Sequence, residues 1–290
     1  MLESISECLL CQNSDLQNDR QVIDHFGSKE SFSVVECQRC ETLYTNPRPD
    51  AESILTYYKS ASYVSHGDTI EPIFDHVYKF IQSINFKSKK RILDKYTLSR
   101  KHLDFGCGNG SFLNYLKRQK WKVTGIEPDE AARNNADQNL TIHSSLDQLP
   151  KGEQYTSISL FHVLEHVHQL EKTLSSLIDK LDKNGVIILA LPNFKSLDAS
   201  VYGEFWAGYD TPRHLYHFSQ KSIHQLAKTF GLNIVATHPM KFDSYYVSLL
   251  SEEYKTGSKK YLSAMVNGYK SNQSAKKTGE YSSLIYILSK

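Results

Sequence analysis

The stretch Leu103-Asp104-Phe105-Gly106-Cys107-Gly108-Asn109-Gly110 joins the end of an apolar strand pattern to the start of a helical pattern. Its three glycines stand at alternate positions, and Phe112, Leu113 and Leu116 follow at helical spacing. Glycine tolerates positive φ, and because it has no Cβ atom a ligand can lie against its backbone. The unpaired N–H groups at the start of the helix suit a carboxylate or a phosphate. The stretch therefore predicts a ligand-binding turn between a strand and a helix.

A second apolar run, residues 121–126, ends at Glu127-Pro128-Asp129. An acidic residue that closes the strand after a glycine-rich loop is placed to accept hydrogen bonds from both hydroxyls of a nucleoside ribose. Nicotinamide dinucleotides would use the same geometry, but their fingerprint is G-x-G-x-x-G, and this loop lacks its last spacing. The two stretches together therefore favour a different nucleoside-containing cofactor.

Residues 103–110 and 125–128 resemble the first two motifs of the class I S-adenosylmethionine (SAM) methyltransferases, and the resemblance extends over roughly residues 95 to 290. It implies SAM as the cofactor. It also implies an α/β fold with a seven-stranded, doubly wound, Rossmann-like sheet. The cofactor contacts that it implies, including one lid residue from the segment before the first strand, are Asp104, Gly106, Cys107, Gly108, Gly110, Glu127, Pro128, Ser145, Leu146, Phe161, His162 and Tyr63.

From residue 99 onward, strand and helix patterns alternate, as in a doubly wound sheet. A helical pattern over residues 220–230, stopped by Gly231, provides the crossover before the sixth strand. Residues 241–281 hold two helical patterns and then a segment rich in Ser, Lys and Gly, residues 271–279, which we expect to be a loop. The predicted strands are residues 101–105, 122–127, 140–143, 157–161, 186–191, 233–236 and 284–288.

Four of the five cysteines, Cys8, Cys11, Cys37 and Cys40, form two C-x-x-C pairs separated by 25 residues. Paired C-x-x-C turns hold four thiolates in a tetrahedron, which is typical of a structural zinc site. A redox dithiol and plain core cysteines are the alternatives, and the two matched pairs argue against both. A closed four-cysteine site leaves no position for a substrate, so this zinc would stabilise the fold.

The patterns divide the chain into three predicted parts. Residues 1–48 read as a zinc ribbon, residues 49–98 as a helical lid or linker, and residues 99–290 as the SAM-dependent methyltransferase domain. Within that domain, residues 241–281 form a helical insertion before the last strand. We expect Pro47 and Pro49 to stop any strand or helix at the end of the ribbon.

Charge and hydropathy narrow the classes of partner. The chain has 290 residues and a formal net charge of +2, so it has no strong electrostatic attraction to nucleic acid or acidic membranes. No apolar run approaches the ~20 residues of a membrane span, and the first residues lack the basic and apolar regions of a signal peptide. We therefore expect a cytoplasmic protein without a nucleic-acid partner.

The segment after the fourth strand places His162, Glu165 and His166 at positions i, i+3 and i+4, which share one face if a helix begins there. Two imidazoles and a carboxylate suit a divalent metal, or a base and the group that orients it. The stretch is similar to the Glu-x-x-Glu-His segment that holds magnesium in quinone-biosynthesis O-methyltransferases. His162 stands where their first Glu stands, which weakens the case for magnesium. The other interpretation is that Glu165 and His166 only brace the helix.

The loop after the fifth strand, residues 192–219, is too long and too rich in aromatic, Arg and His residues for a mere connection. Its aromatic residues supply shape, and Arg213, His214 and His217 supply polar groups. It resembles the Pro-Arg-His-x-x-His/Tyr-Phe segment of bacterial methyltransferases that carry an N-terminal zinc ribbon. Many of those resemble enzymes that methylate sugars or small molecules. His214 is therefore the first candidate for an acceptor contact or a general base, and a histidine that braces the loop is the alternative.

These observations favour methyl transfer from SAM to a small-molecule or sugar-type acceptor, with O-methylation as the expected reaction. The candidate catalytic residues are His214, His162 and His166. An RNA or protein methyltransferase that docks through the ribbon is the second hypothesis, although the near-neutral charge argues against RNA. A non-catalytic SAM-binding protein is the third. The intact glycine loop and Glu127 argue against loss of cofactor binding, but not against loss of turnover.

Overall fold

The computed structural model describes residues 1–58 and 72–290. Within these ranges the chain forms two main β-sheets with helices packed around them. Tyr63, the predicted lid contact, lies outside the described residues. None of the described helices combines the length and the hydrophobicity that a membrane-spanning segment needs.

Strands dominate the first fifty residues, and strands and helices alternate from residue 101 onward. The strands are β1 (Leu2–Glu3), β2 (Leu16–Ile23), β3 (Ser31–Cys37), β4 (Leu43–Thr45), β5 (Arg48–Pro49), β6 (Lys101–Phe105), β7 (Lys122–Ile126), β8 (Ile142–His143), β9 (Tyr155–Phe161), β10 (Leu181–Pro192), β11 (Tyr216–His217), β12 (Asn233–Pro239) and β13 (Ser283–Ser289). The helices are α1 (Leu55–Tyr58), α2 (Pro72–Tyr96), α3 (Ser111–Arg118), α4 (Glu130–Asn134), α5 (Leu170–Asp179), α6 (Leu197–Tyr202), α7 (Gln220–Thr229), α8 (Asp243–Thr256) and α9 (Tyr261–Thr278).

The larger sheet has seven strands in the order β12-β13-β10-β9-β6-β7-β8. Its strands β6 to β10 run parallel, and β13 lies antiparallel between β10 and β12. Parallel strands that are covered on both faces are apolar along their length, and residues 186–191 of β10 are buried throughout. The predicted seven-stranded, doubly wound α/β fold is confirmed. The strand order reverses between β6 and β9, and such a reversal leaves a crevice for ligands beyond the carboxyl ends of the strands.

A smaller sheet joins the N-terminal residues to the loop that follows β10. It has four strands in the order β11-β4-β3-β2. Its last strand, β11, comes from the long loop, and Tyr216 pairs with Tyr44 while His217 pairs with Leu43. The region predicted as a ribbon is therefore hydrogen-bonded to the loop that holds the candidate base His214.

The structure differs from two local expectations. Residues 48–49 form β5, which pairs with β1, and a ladder of only two strands tolerates the missing N–H group of Pro49 because both of its strands are edges. The expected loop over residues 271–279 is instead the last part of α9, which ends at Thr278. The helix forms there despite the polar composition of the segment, because its residues pack against the rest of the chain. Ser271 is buried, and its hydroxyl donates to Oδ1 of Asp198 at 2.6 Å.

A buried cluster of charged side chains links the N-terminal module to the loop after β10. Arg213, in the loop after β10, is 2% exposed. Its Nη2 lies 2.8 Å from Oδ1 of Asp24, at the turn after β2, and 2.6 Å from Oδ1 of Asp210. Asp24 is fully buried and also accepts hydrogen bonds from the backbone N–H groups of Gly27 and Ser28. The guanidinium therefore links the hairpin turn of the N-terminal module to the loop after β10.

We expect Asp24→Ala to lower the free energy of unfolding by about 3–5 kcal/mol, because it leaves a buried guanidinium without one of its two carboxylates. Urea unfolding at a fixed zinc concentration measures this change. The matched control is Asp94→Ala, which breaks the exposed pair of Asp94 with Lys90 and should cost less than about 1 kcal/mol. Equal losses in the two variants would show that the buried cluster does not stabilise the fold.

Candidate functional site

The loop after β6 holds three glycines in left-handed backbone conformations. The φ angle is 76° at Gly106, 55° at Gly108 and 70° at Gly110, and glycine adopts this region without the steric cost that a side chain brings. A Cβ atom on Gly106 would lie 2.4 Å from Cγ2 of Val163. The turn therefore requires glycine, and it lies directly against the segment that follows β9.

Glu127 stands beside this loop, directly after β7. Its Oε2 accepts a hydrogen bond from the backbone N–H of Gly108 at 2.8 Å, and its Oε1 accepts one from Asp129 at 2.9 Å. Arg133 donates to the carbonyl oxygen of Glu127 at 2.7 Å and so fixes the backbone there. Cys107 in the loop is half-buried, and burial raises the pKa of its thiol. A carboxylate and a glycine loop thus meet at the switch point of the sheet, where a nucleoside ribose would bind.

Asp104, two residues before Gly106, interacts electrostatically with Lys89. Asp104 is buried at the end of β6, and the hydroxyl of Ser159 donates to it at 2.5 Å. Burial raises the pKa of Asp104 to about 6. Nζ of Lys89, on α2, lies 3.8 Å from the centre of the Phe161 ring, and burial lowers the pKa of that amine. Lys89 is absent from the set predicted from the sequence, because α2 lies far from β9 along the chain and no motif indicates its position.

His162 follows β9, but a helix does not begin there as expected. Its φ angle of 57° lies in the left-handed region, and only a short 3₁₀ turn, Leu164–His166, follows. Its Nδ1 lies 3.5 Å from Oε1 of Glu165, and its Nε2 lies 3.3 Å from Oδ2 of Asp243. Burial opposes a charge on the ring, but the two carboxylates outweigh it and raise the pKa of His162 to about 9. His162 is therefore a cation at neutral pH.

The two other candidate histidines, His166 and His214, lie edge to face with ring centroids 4.6 Å apart. Nδ1 of His166 lies 3.0 Å from the carbonyl oxygen of Arg213, and Nδ1 of His214 lies 2.9 Å from that of Gly208. A carbonyl oxygen only accepts, so we assign the proton of each ring to Nδ1, which leaves a lone pair on each Nε2. The Tyr58 hydroxyl, 2.9 Å from Nδ1 of His166, acts as a second acceptor in this assignment. Burial, followed by the neighbouring His214, lowers the pKa of His166 to about 4.

Glu165 completes this cluster. Its side chain is 1% exposed, and within the described part of the chain neither carboxylate oxygen has a hydrogen-bond partner. One ligand atom each from Glu165, His166 and His214 lie within 4.8 Å of one another. The sequence groups His162 with Glu165 and His166, whereas the structure adds His214 from the loop after β10.

The N-terminal module positions this loop through direct hydrogen bonds. The hydroxyl of Thr45, at the end of β4, donates to the carbonyl oxygen of His214 at 2.6 Å. The N–H of Leu215 donates to the carbonyl oxygen of Glu165 at 2.8 Å. His217, a further polar residue of the loop, is buried with its Nε2 3.3 Å from the Thr45 hydroxyl. His214 is thus held between the 3₁₀ turn after β9 and the N-terminal sheet.

The four N-terminal cysteines lie together as expected. The Sγ atoms of Cys8 and Cys40 are 3.4 Å apart, those of Cys11 and Cys37 are 3.5 Å apart, and all four sulfur atoms lie within 4.8 Å of one another. Zn–S bonds of ~2.3 Å in a tetrahedron require sulfur atoms slightly less than 4 Å apart. The four thiols therefore fit one zinc ion.

The remaining predicted cofactor contacts lie at the carboxyl edge of the larger sheet. Pro128 follows β7, Ser145 and Leu146 follow β8, and Phe161 ends β9. Ser145 and Leu146 are half-buried, and Pro128 is exposed. Their positions agree with the crevice at the switch point, and their contact with SAM stays a prediction.

A family model described as "Methyltransferase domain" matches residues 77–237. The chain belongs to this family. The matched residues include the glycine loop, Glu127, the 3₁₀ turn after β9 and His214. The chain is therefore a SAM-dependent methyltransferase, and this confirms the cofactor and the enzyme class predicted from its first two motifs.

Relatives of this methyltransferase include proteins named ubiquinone biosynthesis O-methyltransferase. That of Rickettsia bellii is 26% identical over 99 residues, which is 31% of this chain and 41% of the relative, so the match spans less than half the length of that protein. That of Coxiella burnetii is 26% identical over 184 residues, which is 56% of this chain and 79% of the relative.

A solved structure also resembles this chain. It is magnesium protoporphyrin IX methyltransferase from Synechocystis with bound S-adenosylhomocysteine (SAH). It aligns over 82% of this chain and 98% of that one, with a TM-score of 0.51 and 18% identity. This structural likeness supports the fold alone.

We expect Glu127→Ala to weaken SAH binding to the methyltransferase by about 1.5–3 kcal/mol, the range for hydrogen bonds to a charged group. Titration calorimetry with SAH measures the loss. Glu130→Ala, which removes an exposed carboxylate from α4 three residues away, is the matched control and should leave the affinity unchanged. Unchanged affinity in Glu127→Ala would exclude that carboxylate from the ribose site.

Proposed function

We propose that this methyltransferase transfers the methyl group of SAM to a hydroxyl oxygen of a small-molecule or sugar-type acceptor. The observation that best supports this proposal is that His166 and His214 pack edge to face in the segments that follow β9 and β10, at the carboxyl edge of the sheet. A neutral imidazole at that place can accept the proton of a hydroxyl acceptor. The O-methyltransferase names of the relatives agree with transfer to oxygen.

The proposed roles follow from the contacts and charges of the three histidines. The sulfonium of SAM is already activated, so the protein must mainly orient the acceptor and exclude water. An oxygen–carbon bond forms as the sulfur–carbon bond breaks, and Nε2 of His214 takes the hydroxyl proton. His162, charged and 36% exposed, directs its two N–H groups at Glu165 and Asp243 and so contributes positive charge to the site rather than a hydrogen bond to a ligand. His166 packs edge to face against His214 and keeps that ring in place.

The cofactor contacts predicted from the sequence belong to the same proposal, and so does the division into domains. In it, residues 1–48 form a zinc ribbon, residues 49–98 a lid or linker, and residues 99–290 the SAM-dependent domain. The pairing of β4 with β11 favours a ribbon that supports the acceptor loop over one that docks RNA or protein, because its inner edge is occupied by the enzyme itself. The ribbon zinc is proposed as structural.

The acceptor class can be tested with isotope-labelled SAM. Purified protein is incubated with methyl-labelled SAM and a metabolite extract, and labelled products are identified by mass spectrometry. We expect the label in the methyl ether of a small hydroxylated compound. Label found only in RNA or protein, or SAH release without a labelled acceptor, would contradict the proposal.

We expect His214→Ala to lower turnover by ~10²-fold or more, because proton removal by a positioned base contributes on that scale. SAH affinity should stay nearly unchanged, because His214 lies on the acceptor side of the methyl group. The assay compares initial rates with the identified acceptor, and His224→Ala, on the exposed face of α7, serves as control. Full activity in His214→Ala would remove this residue from the mechanism.

We expect elemental analysis to find about one zinc per chain bound to the cysteine cluster, and Cys37→Ser to release it. Because β4 and β11 share a sheet, loss of this zinc should also lower the free energy of unfolding. Cys107→Ser, outside the cluster, is the matched control and should retain zinc. A Cys37→Ser protein with full zinc content and stability would contradict the ribbon assignment.

A further inference from the structure

Helix α9 presents a group of apolar side chains outward. Leu262, Met265 and Tyr269 are 80%, 56% and 56% exposed, and Tyr261 and Val266 are exposed as well. Their spacing of three and four residues places all five on one side of the helix. Single exposed apolar residues are normal on a protein surface, whereas a contiguous group indicates a binding surface. We call these five residues the α9 face.

The opposite side of α9 is buried and is lined by small or polar side chains. These are Ala264, Gly268, Ser271, Asn272 and Ala275. A Cβ atom on Gly268 would lie 3.0 Å from the carbonyl oxygen of Ser244 on α8, and Nδ2 of Asn272 donates to the Ser244 hydroxyl at 2.9 Å. A surface helix of a soluble protein normally buries its apolar side and exposes its polar side. The reversed arrangement in α9 leaves its large apolar side chains available for a partner.

Lysines surround the α9 face, and no acidic residue lies in the same segment. Residues 257–279 contain five lysines and no Asp or Glu. Lys259 and Lys260 precede the first apolar residue, and Lys276 follows Tyr269 by seven residues, on the same side of the helix. All three lysines are exposed. The net charge of +2 for the whole chain, from which we expected no attraction to acidic membranes, therefore does not describe this surface.

We propose that the α9 face binds an anionic phospholipid surface, with α9 lying in the plane of the lipid headgroups. Helices of this kind carry lysines around an apolar side, and they bind through apolar burial together with attraction to anionic lipids. Tyr261 and Tyr269 suit this boundary, because a tyrosine has an apolar ring and a polar hydroxyl. A second copy of the chain fits less well, since a symmetric contact would bring the lysines of the two copies together.

This surface lies outside the part of the chain that the family model matches. That match ends at residue 237, and α8 begins at Asp243. The two helices are nevertheless attached to the candidate site, because Oδ2 of Asp243 lies 3.3 Å from Nε2 of His162. Binding through the α9 face would hold the methyltransferase at a membrane surface whatever acceptor it uses, so the proposal is independent of the proposed function.

Vesicle sedimentation with the full-length protein tests the proposal. The protein is mixed with vesicles of phosphatidylglycerol and phosphatidylcholine in equal parts, or of phosphatidylcholine alone, and the bound fraction is measured after centrifugation. We expect binding to the mixed vesicles, much weaker binding to phosphatidylcholine, and loss of binding at high salt, which screens the lysines. Equal binding to both kinds of vesicle, or binding to neither, would overturn the proposal.

Substitutions on α9 locate the binding surface. Lys276→Gln should weaken binding to the mixed vesicles by about fivefold, the contribution of one lysine near an anionic surface. Leu262→Gln should weaken it by about tenfold, because less apolar area is buried. The matched controls are Lys151→Gln and Leu98→Gln, which change exposed residues outside α8 and α9 and should bind like the wild type. Losses as large in the controls as in the α9 variants would contradict the proposal.

Retained SAH affinity and an unchanged thermal midpoint show that each variant is folded. If Leu262→Gln does not fold, Lys276→Gln and the salt dependence of the wild type decide instead. Neither of them alters an apolar residue. Unchanged binding in folded Lys276→Gln, together with binding that persists at high salt, would then count against an anionic surface.

The same proteins distinguish the other occupants of the α9 face. Light scattering without lipid gives the mass in solution, and we expect the same mass for the wild type and Leu262→Gln. A dimer that Leu262→Gln dissociates, without vesicle binding, would assign the face to a second copy of the chain. Binding to polyglutamate but not to vesicles would assign it to an acidic protein. Either result would overturn the proposal.

Discussion

The position of the loop that holds His214 depends on the burial of one guanidinium group. Arg213 is removed from water, and such a charge is tolerated only when its donors are satisfied. Its Nη2 donates to Asp24 of the N-terminal hairpin and to Asp210 of its own loop, and its Nη1 donates to the carbonyl oxygen of Tyr57. The three partners come from three distant parts of the sequence. They fix the backbone just before His214, the residue on which the proposed reaction depends.

The N-terminal module helps to position the loop that holds His214. A zinc ribbon that was only attached through a linker would not position the loops of the enzyme. Here β4 pairs with β11, and the Thr45 hydroxyl binds the backbone of His214. The cysteine cluster, which includes Cys37 at the end of β3, and the Asp24–Arg213 pair at the turn before β3 thus lie at opposite ends of the same hairpin. Small modules bury too little surface to fold alone, so the contacts with the larger domain stabilise this one.

The sequence predicts those parts of the structure that are determined by residues close together in the chain. The glycine loop requires positive φ at three close positions, and Glu127 ends the next strand, so motif and geometry coincide. The sequence predicts only part of the histidine cluster. Glu165 and His166 are neighbours in the chain, but His214 lies about fifty residues further along it. Packing of the helices brings Lys89 to Phe161 and Asp243 to His162, and no local sequence pattern predicts such contacts.

Glu165 lies between the three candidate histidines. It faces His162 on one side, and His166 and His214 on the other. Burial opposes its charge, but the neighbouring histidines hold the pKa of Glu165 below its usual range. An ionised Glu165, together with Asp243, keeps His162 protonated, while the backbone carbonyls keep the other two rings in their Nδ1–H form. Burial lowers the pKa of His166 to about 4, so the proposed base is the ring of His214 rather than that of His166.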